Sequence, residues 1–449
     1  MKNKRIAIVG AGITGLTSAW KLQESGNEVV VFENRNYPGG SIKTVREGDW
    51  QIEYGPNTLQ IKSEEVLQFI QNLNLDQELI DAGQAGNKRF ILREGELIQV
   101  PMKISEWVKT PLFSRGGKVR MLKEPFVGRG KDPAETLSSF VERRVGREFL
   151  DFAIDPFVSG VYAGTPEQLA VKYAFPKMVE MEQKYGSLTG GALAKAWQNL
   201  NGHDFKTRLV SFKNGLKQLP ERLTQLLKEV RLNHEVTRLQ HTSAGWYIQA
   251  AGKKFEGFDI VLLNVPLYRI HEQLIDGGGR ILDVLQYAGY PPLSILITGY
   301  QRKQVEHPLD GFGFLVPEKE NRKILGTLFN SSLFPDRAPE GHVLLTTFAG
   351  GGRQPGLASL PSEKLMDLVN REHKEILGVT GEPVMADHIY WPKSIPQYSP
   401  DYGQVLEAVD KLEKEHQGLY LIGNYRGGIS VPDCIGNGLK WAEKIMAVP

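Results

Sequence analysis

Apolar residues near the start of the chain switch between two periods. After a basic head, Ile6, Ala7, Ile8 and Val9 form a short run suited to a buried parallel strand. Leu16, Ala19, Trp20 and Leu22 then recur at helical spacing, closed by Gly26, before a second apolar run over residues 28–32 ends at Glu33. The pattern predicts strand, glycine turn, helix and strand. Ser63, Glu64 and Glu65 open another helix, with Val66, Leu67, Phe69, Ile70 and Leu73 on its apolar face. Residues 88–101 alternate apolar and polar around a glycine turn and predict a β-hairpin. From 102 to 200 the texture is helical with proline and glycine at the joints. Strand-like runs return over 208–270, ending in the apolar stretch 260–267, and again over 290–350, with 293–300, 311–317 and 343–351 the clearest. Residues 418–445 predict a strand, a glycine-rich loop and a helix.

Composition narrows this picture only a little. The 449 residues are enough for two or three domains, and 41% hydrophobic and 24% charged residues are ordinary for a globular chain. A net charge of +2 gives no field toward nucleic acid. One cysteine, Cys434, excludes an internal disulfide and fits a reducing compartment, so a cytoplasmic location is expected. No run approaches the roughly 18–20 apolar residues of a membrane span. The nine histidines form no HExxH pattern and no close pair with cysteine, and no metal site is expected.

The turn after the first strand carries the chemistry. Gly10-Ala11-Gly12-Ile13-Thr14-Gly15 is a G-x-G-x-x-G. Gly10 permits the tight turn, Gly12 lets backbone approach a pyrophosphate, and Gly15 lets helix pack on strand. The helix N-terminus offers free N–H groups and a positive dipole end. Glu33, about 20 residues on, is placed to accept hydrogen bonds from an adenosine ribose. A basic head followed by an apolar run also describes a signal peptide, but glycines interrupt the run and no A-x-A site follows. A second glycine pair, Gly39 and Gly40, comes directly behind Glu33 and Asn34. Alone it reads as a turn. After a complete nucleotide fingerprint it suits chain wrapped around a longer flavin dinucleotide. Gly55, Pro56, Asn57 and Thr58 then offer backbone that lies against a flat ring.

These motifs resemble the N-terminal signature of the FAD-dependent amine oxidase superfamily, which Gly39, Gly40 and Thr44 continue; Ser41 stands where many members carry arginine. Residues 156–191, with 311–317, 395–398 and 424–435, resemble the protoporphyrinogen and coproporphyrinogen III oxidases within it. That resemblance implies an α/β fold: a discontinuous Rossmann-type FAD-binding domain (1–82, 205–270, 395–449), a mixed-sheet substrate domain (83–101, 271–394) and an inserted, mainly helical domain (102–204). It implies non-covalent FAD, since Cys434 lacks the context used for attachment. It also implies oxidation of a porphyrinogen to a porphyrin in haem biosynthesis, in three two-electron steps, with oxygen as acceptor and hydrogen peroxide as product. No catalytic acid or base is required of the protein, because pyrrole protons go to solvent. The resemblance assigns Arg89 to a substrate propionate, Phe312, Leu315 and Phe348 to the macrocycle, and Gly160 to close backbone approach. To the cofactor it adds Val236 near adenine, and Trp391, Gly428, Ile429 and Ser430 near the flavin. Read without it, Arg89 is a surface arginine, the three apolar residues are strand core and Gly160 is a turn residue. Six basic residues between Arg115 and Lys131, interleaved with Phe113, Met121, Leu122 and Phe126, fit either a solvated helix face or peripheral contact with an anionic membrane. A homodimer stays open. The alternatives are another oxidase of this fold, acting on an amine or a carotenoid, and a non-catalytic binding protein of the same fold.

Overall fold

The computed structural model describes residues 3–199, 205–277 and 279–447. Its first sheet is parallel and five-stranded, in the spatial order Val230–Arg231, Glu28–Phe32, Arg5–Val9, Ile260–Leu263, Leu419–Leu421. Each long strand is apolar on both sides because both faces are covered. Ile6, Ile8, Val29, Val31 and Leu262 point into a cluster with the helices Ile13–Glu24 and Val431–Met446. The residues between them, Ala7, Val9, Val30, Phe32, Val261 and Leu263, point the other way. They meet Leu239, Trp246, Ile248 and Phe258 of an antiparallel sheet (236–242, 245–250, 253–258) and Val405, Val409 and Leu412 of the helix Tyr402–Glu415. Each buried Val, Leu, Ile or Phe among these stabilises by about 1.5–3 kcal/mol, which favours the three-layer order.

The two chain ends meet within the helical layer. A Cβ on Gly438 would lie 2.7 Å from the Thr17 Cβ, and the Ser18 hydroxyl donates to the Gly438 carbonyl at 2.9 Å. Only glycine permits so close a crossing of the first and last helices.

The second body is a seven-stranded mixed sheet with strands from 90–99 and 293–391, ordered 385–391, 293–301, 342–350, 326–329, 313–315, 90–93, 96–99. The expected hairpin is present, turning at Glu94 and Gly95, both with positive φ. One face of the sheet packs against the amphipathic helix Ser362–Leu377, which buries His373 completely. Burial lowers the His373 pKa to about 3. The other face turns toward the nucleotide-binding body through Trp50, Ile52 and Tyr54.

Residues 104–199 are helical, in short segments held by a charged interior. Arg144 is fully buried and lies 3.2 Å from both Glu124 and Glu182, while Arg143 pairs with Glu135 and Glu182 at 2.9 Å. Glu124, the one acid of the basic stretch, is therefore an interior group. The stretch still exposes Leu122 and Phe126 beside its lysines and arginines. Among the described residues no helix is long and apolar enough to cross a membrane. The structure adds elements that the apolar pattern did not announce: the hairpin Thr44–Glu47/Trp50–Glu53, a three-stranded sheet from 59–61, 79–81 and 208–212, and the helices at 362–377 and 402–415.

Candidate functional site

The glycine fingerprint forms a backbone cradle at the C-terminal edge of the parallel sheet. Gly10, at φ +100, donates to the Phe32 carbonyl at 2.7 Å, and the first helix begins at Ile13, with the Leu16 amide bonded to Gly12 O at 3.0 Å. Glu33 is buried and accepts from the amides of Ala11 (2.7 Å) and Arg35 (2.9 Å), which aims its carboxylate at the cradle rim. Gly39 bonds back to the Ala11 carbonyl at 2.8 Å and pairs with Gly12. A Cβ on Gly12 would meet only the Asn264 amide, at 3.0 Å, and one on Gly40 only the Gly12 Cα, at 3.5 Å. Two glycine segments thus face each other with bare backbone at a helix N-terminus, a surface that fits a pyrophosphate.

Several of the remaining cofactor candidates connect to this cradle. Gly55 lies so close to Ser41 that a Cβ would come within 2.0 Å of its carbonyl oxygen, so the loops 39–41 and 55–58 abut. Trp391 donates from its indole to the Tyr54 carbonyl at 3.0 Å, and the Arg35 guanidinium sits 5.6 Å from the Trp391 ring while donating to Gly40 O at 2.7 Å. Val236 opens the strand just after Asn233 and His234, whose amides bond the carbonyls of Arg35 and Glu33. Asn34 is exposed; Pro56 and Thr58 are half-buried beside the buried Asn57. Gly428 at φ +122 and Ile429 lead into Ser430, which caps the final helix by accepting from the Asp433 amide at 3.3 Å. Burial pushes the Cys434 thiol up to about 12, so it is a packing group and not a nucleophile at neutral pH.

On the mixed sheet, cross-strand register sets Ile91, Leu315, Gly326, Phe348, Ile295 and Ile389 in one lateral row. Gly326 leaves a notch in it. Leu315 crosses that notch and touches Gly160, where a Cβ would sit 2.4 Å from Leu315 Cδ2. What Gly160 approaches in the structure is therefore Leu315. Phe312 is half-buried, with the Arg89 guanidinium 5.3 Å above its ring. Arg89 is itself half-buried, burial holds its pKa below the usual guanidinium value, and no carboxylate pairs with it among the described residues.

Sequence reasoning missed three parts of this arrangement. Asn264, directly after the strand 260–263, donates to Gly10 O at 3.1 Å and Gly12 O at 3.3 Å, and the smallness of Gly15 makes room for it. Its position one residue beyond an apolar run was the available signal. Tyr54 donates to Asp387 across the two bodies, and Lys43 lies 5.1 Å from the rings of both Tyr37 and Tyr54. Glu53 is buried, accepting from Thr44 Oγ1 at 2.7 Å and the Leu216 amide at 3.0 Å, and burial raises its pKa to about 7. Nothing in a one-dimensional pattern marks these long-range pairs.

Two facing glycine segments at a helix N-terminus, with a buried acid at the rim, define a dinucleotide-binding protein. The chain belongs to the flavin-containing amine oxidoreductase family, whose model matches residues 13–446. It is 34% identical to the mitochondrial protoporphyrinogen oxidase of Nicotiana tabacum, over 99% of this chain and 95% of that one. It is 27% identical to the coproporphyrinogen III oxidase of Staphylococcus aureus, over 99% of each. In fold it is similar to a crystal structure from Exiguobacterium sp. 255-15 assigned to protoporphyrinogen oxidase, with TM-score 0.83 and 24% identity over 99% of both chains. FAD is the cofactor of this family's fold, and the paired glycine segments fit it.

Proposed function

We propose that this protein oxidises a porphyrinogen, protoporphyrinogen IX or coproporphyrinogen III, to the corresponding porphyrin. The observation that carries the reading is Arg89: a half-buried cation with no carboxylate partner among the described residues, stacked on Phe312, each just ahead of a strand of the mixed sheet. Such a cation costs free energy to desolvate and is kept where an anionic ligand completes it. A flexible macrocycle with apolar faces and propionates on one edge matches that surface. The relatives' names point the same way.

In this reading Gly10–Gly15, Gly39–Ser41 and Glu33 hold the dinucleotide, with Val236 at the adenine end. Residues 55–58, Trp391 and 428–430 stand against the ring system. Bound FAD supplies a two-electron acceptor for hydride. Arg89 fixes a propionate, and Leu315, Phe348 and Phe312 hold the macrocycle and exclude water. No side chain is needed as a base, since each pyrrole proton passes to solvent. Oxygen is the terminal acceptor, giving hydrogen peroxide, over three two-electron steps. The exposed Leu122 and Phe126 among six basic residues form the surface for any peripheral membrane contact, in an otherwise cytoplasmic protein; a homodimer is compatible with this arrangement.

The test is turnover of both porphyrinogens by one preparation, followed by porphyrin fluorescence and peroxide release. Oxidation of either, with peroxide formed, supports the reading. Oxidation of amines but of neither porphyrinogen overturns it.

A further inference from the structure

The helix Asp155–Tyr162 lies against the mixed sheet, and one methyl group marks where the two meet. Leu315 Cδ2 is 2.4 Å from where a Cβ on Gly160 would stand and 3.1 Å from where one on Gly326 would stand. Its place is therefore set from two sides, by a glycine of the helix and by a glycine of its own sheet. Gly326 is fixed by strand pairing with Leu315 and Phe348. Gly160 is only as fixed as the helix that carries it.

Arg353 ties that helix down. Its Nη2 donates to both carboxylate oxygens of Asp155, at 2.9 and 3.0 Å, and to Ser159 Oγ at 3.0 Å. Its Nη1 donates at 2.8 Å to the carbonyl of Val316, the residue after Leu315. The Asp155 carboxylate also accepts from the Glu318 amide at 2.8 Å. The Arg353 and Asp155 side chains are 4% and 10% exposed. One planar group thus bonds the helix through one nitrogen and the strand end through the other, and its rigid fork leaves little play between them. The far end of the helix is tied by backbone, where the Gly352 amide donates to the Ala163 carbonyl at 2.7 Å. A buried ion pair adds little stability over a well-packed apolar pair, because desolvation offsets its attraction. What this one adds is a defined distance between helix and sheet.

We infer that Arg353 and Asp155 are positioning residues for substrate binding: they hold Gly160 against Leu315 and so fix the apolar row on which the macrocycle rests. The inference rests on the proposed function for the substrate; the seating of Leu315 stands without it.

The test uses three variants. Arg353→Met deletes the fork, Arg353→Lys keeps a charge for Asp155 without also serving the Val316 carbonyl, and Asp155→Asn keeps the shape and deletes the charge. KM and kcat are measured on coproporphyrinogen III and protoporphyrinogen IX, with FAD titration of apo-protein and urea unfolding on the same samples. Arg353→Met should raise KM about tenfold, with kcat and FAD affinity within about twofold of the parent, and the other two should fall between. In a Leu315→Ala background none of the three should raise KM further, because the group they position is gone. A second readout needs no substrate. Leu315→Cys adds a thiol beside the single native one, the buried Cys434, which reports opening elsewhere in the chain. Arg353→Met in that chain should speed maleimide labelling of the introduced thiol about tenfold and leave Cys434 unchanged. An unchanged KM with a lowered urea midpoint would show a structural role alone and overturn the inference, as would KM losses that multiply with Leu315→Ala. Labelling that accelerates at neither thiol, or equally at both, would do the same. If Arg353→Met does not fold, Arg353→Lys and Asp155→Asn carry both readouts. A parent protein that turns over neither porphyrinogen would overturn the functional reading instead; thiol labelling then decides whether the pair seats the helix on Leu315.

Discussion

Replacing Arg89 by methionine separates binding from stability. Methionine keeps an unbranched apolar stem over Phe312 and deletes the charge. The variant loses a cation–π contact, 5.3 Å from the ring, worth about 0.5–1 kcal/mol. It also sheds the cost of a half-buried guanidinium that no carboxylate among the described residues offsets. These two terms oppose each other, so apo-protein stability should stay within about 1 kcal/mol of the parent or rise. Binding moves the other way. A charge-assisted bond to a propionate is worth about 1.5–3 kcal/mol, so KM should rise roughly 10- to 150-fold. Because the propionate is remote from the carbon that is oxidised, the bond is made equally in ground and transition states, and kcat should hold. Initial rates of porphyrin fluorescence over a range of porphyrinogen concentrations, with flavin content and urea unfolding measured on the same sample, read all three quantities. Unchanged KM would remove Arg89 from the site. A large drop in stability would show that the guanidinium is a structural group whose partner lies in the protein.

Gly12 has φ −68, so Gly12→Val meets no backbone strain, and its side chain presses on the Asn264 amide and fills the cradle; flavin content should fall to background while circular dichroism is retained, and normal flavin content would refute the placement. Burial raises the Glu53 carboxyl from 4.5 to about 7, so between those values the folded chain holds a proton that the unfolded chain has released. Stability must therefore fall as pH rises through that window, by about 3 kcal/mol in all, and Glu53→Gln should flatten the slope and unfold at higher urea than the parent at pH 8; an unchanged slope would show that Glu53 is not its source. Gly160→Ala adds a Cβ 2.4 Å from Leu315 Cδ2 in a helix that otherwise favours alanine, so stability should change little while displacement of Leu315 raises KM several-fold; Leu315→Ala in the same chain should cancel most of that rise, and additive effects would contradict the contact.

Local motifs with fixed spacing were legible in one dimension. The fingerprint at 10–15, the acid at 33 and the glycine pair at 39–40 lie in or directly behind one strand–helix–strand unit, at spacings the motif itself fixes. The apolar runs at 6–9, 28–32 and 260–263 were also plain, because strands covered on both faces carry no polar interruption. The hairpin at 44–53 was hidden because its strands are only four residues long, and one of them mixes buried Gln51 and Glu53 with apolar neighbours. Asn264, Tyr54–Asp387 and Asn57–Asn330 were hidden for a different reason. Each depends on a partner 254, 333 or 273 residues away, and an asparagine or tyrosine in isolation carries no sign of that partner. The basic stretch holds a further long-range pair: Glu124 is buried beside Arg144, and sequence gives no means to match the two.

Reduction of the bound flavin under nitrogen tests the pairing of cofactor and substrate most directly. Purified protein reconstituted with FAD should be yellow, and one equivalent of porphyrinogen under nitrogen should bleach the flavin band in a single two-electron step, with porphyrin fluorescence following once oxygen is admitted and the remaining two steps can run. Protein that takes up FAD but keeps its colour when porphyrinogen is added, or that is bleached by an amine instead, would contradict the proposed activity.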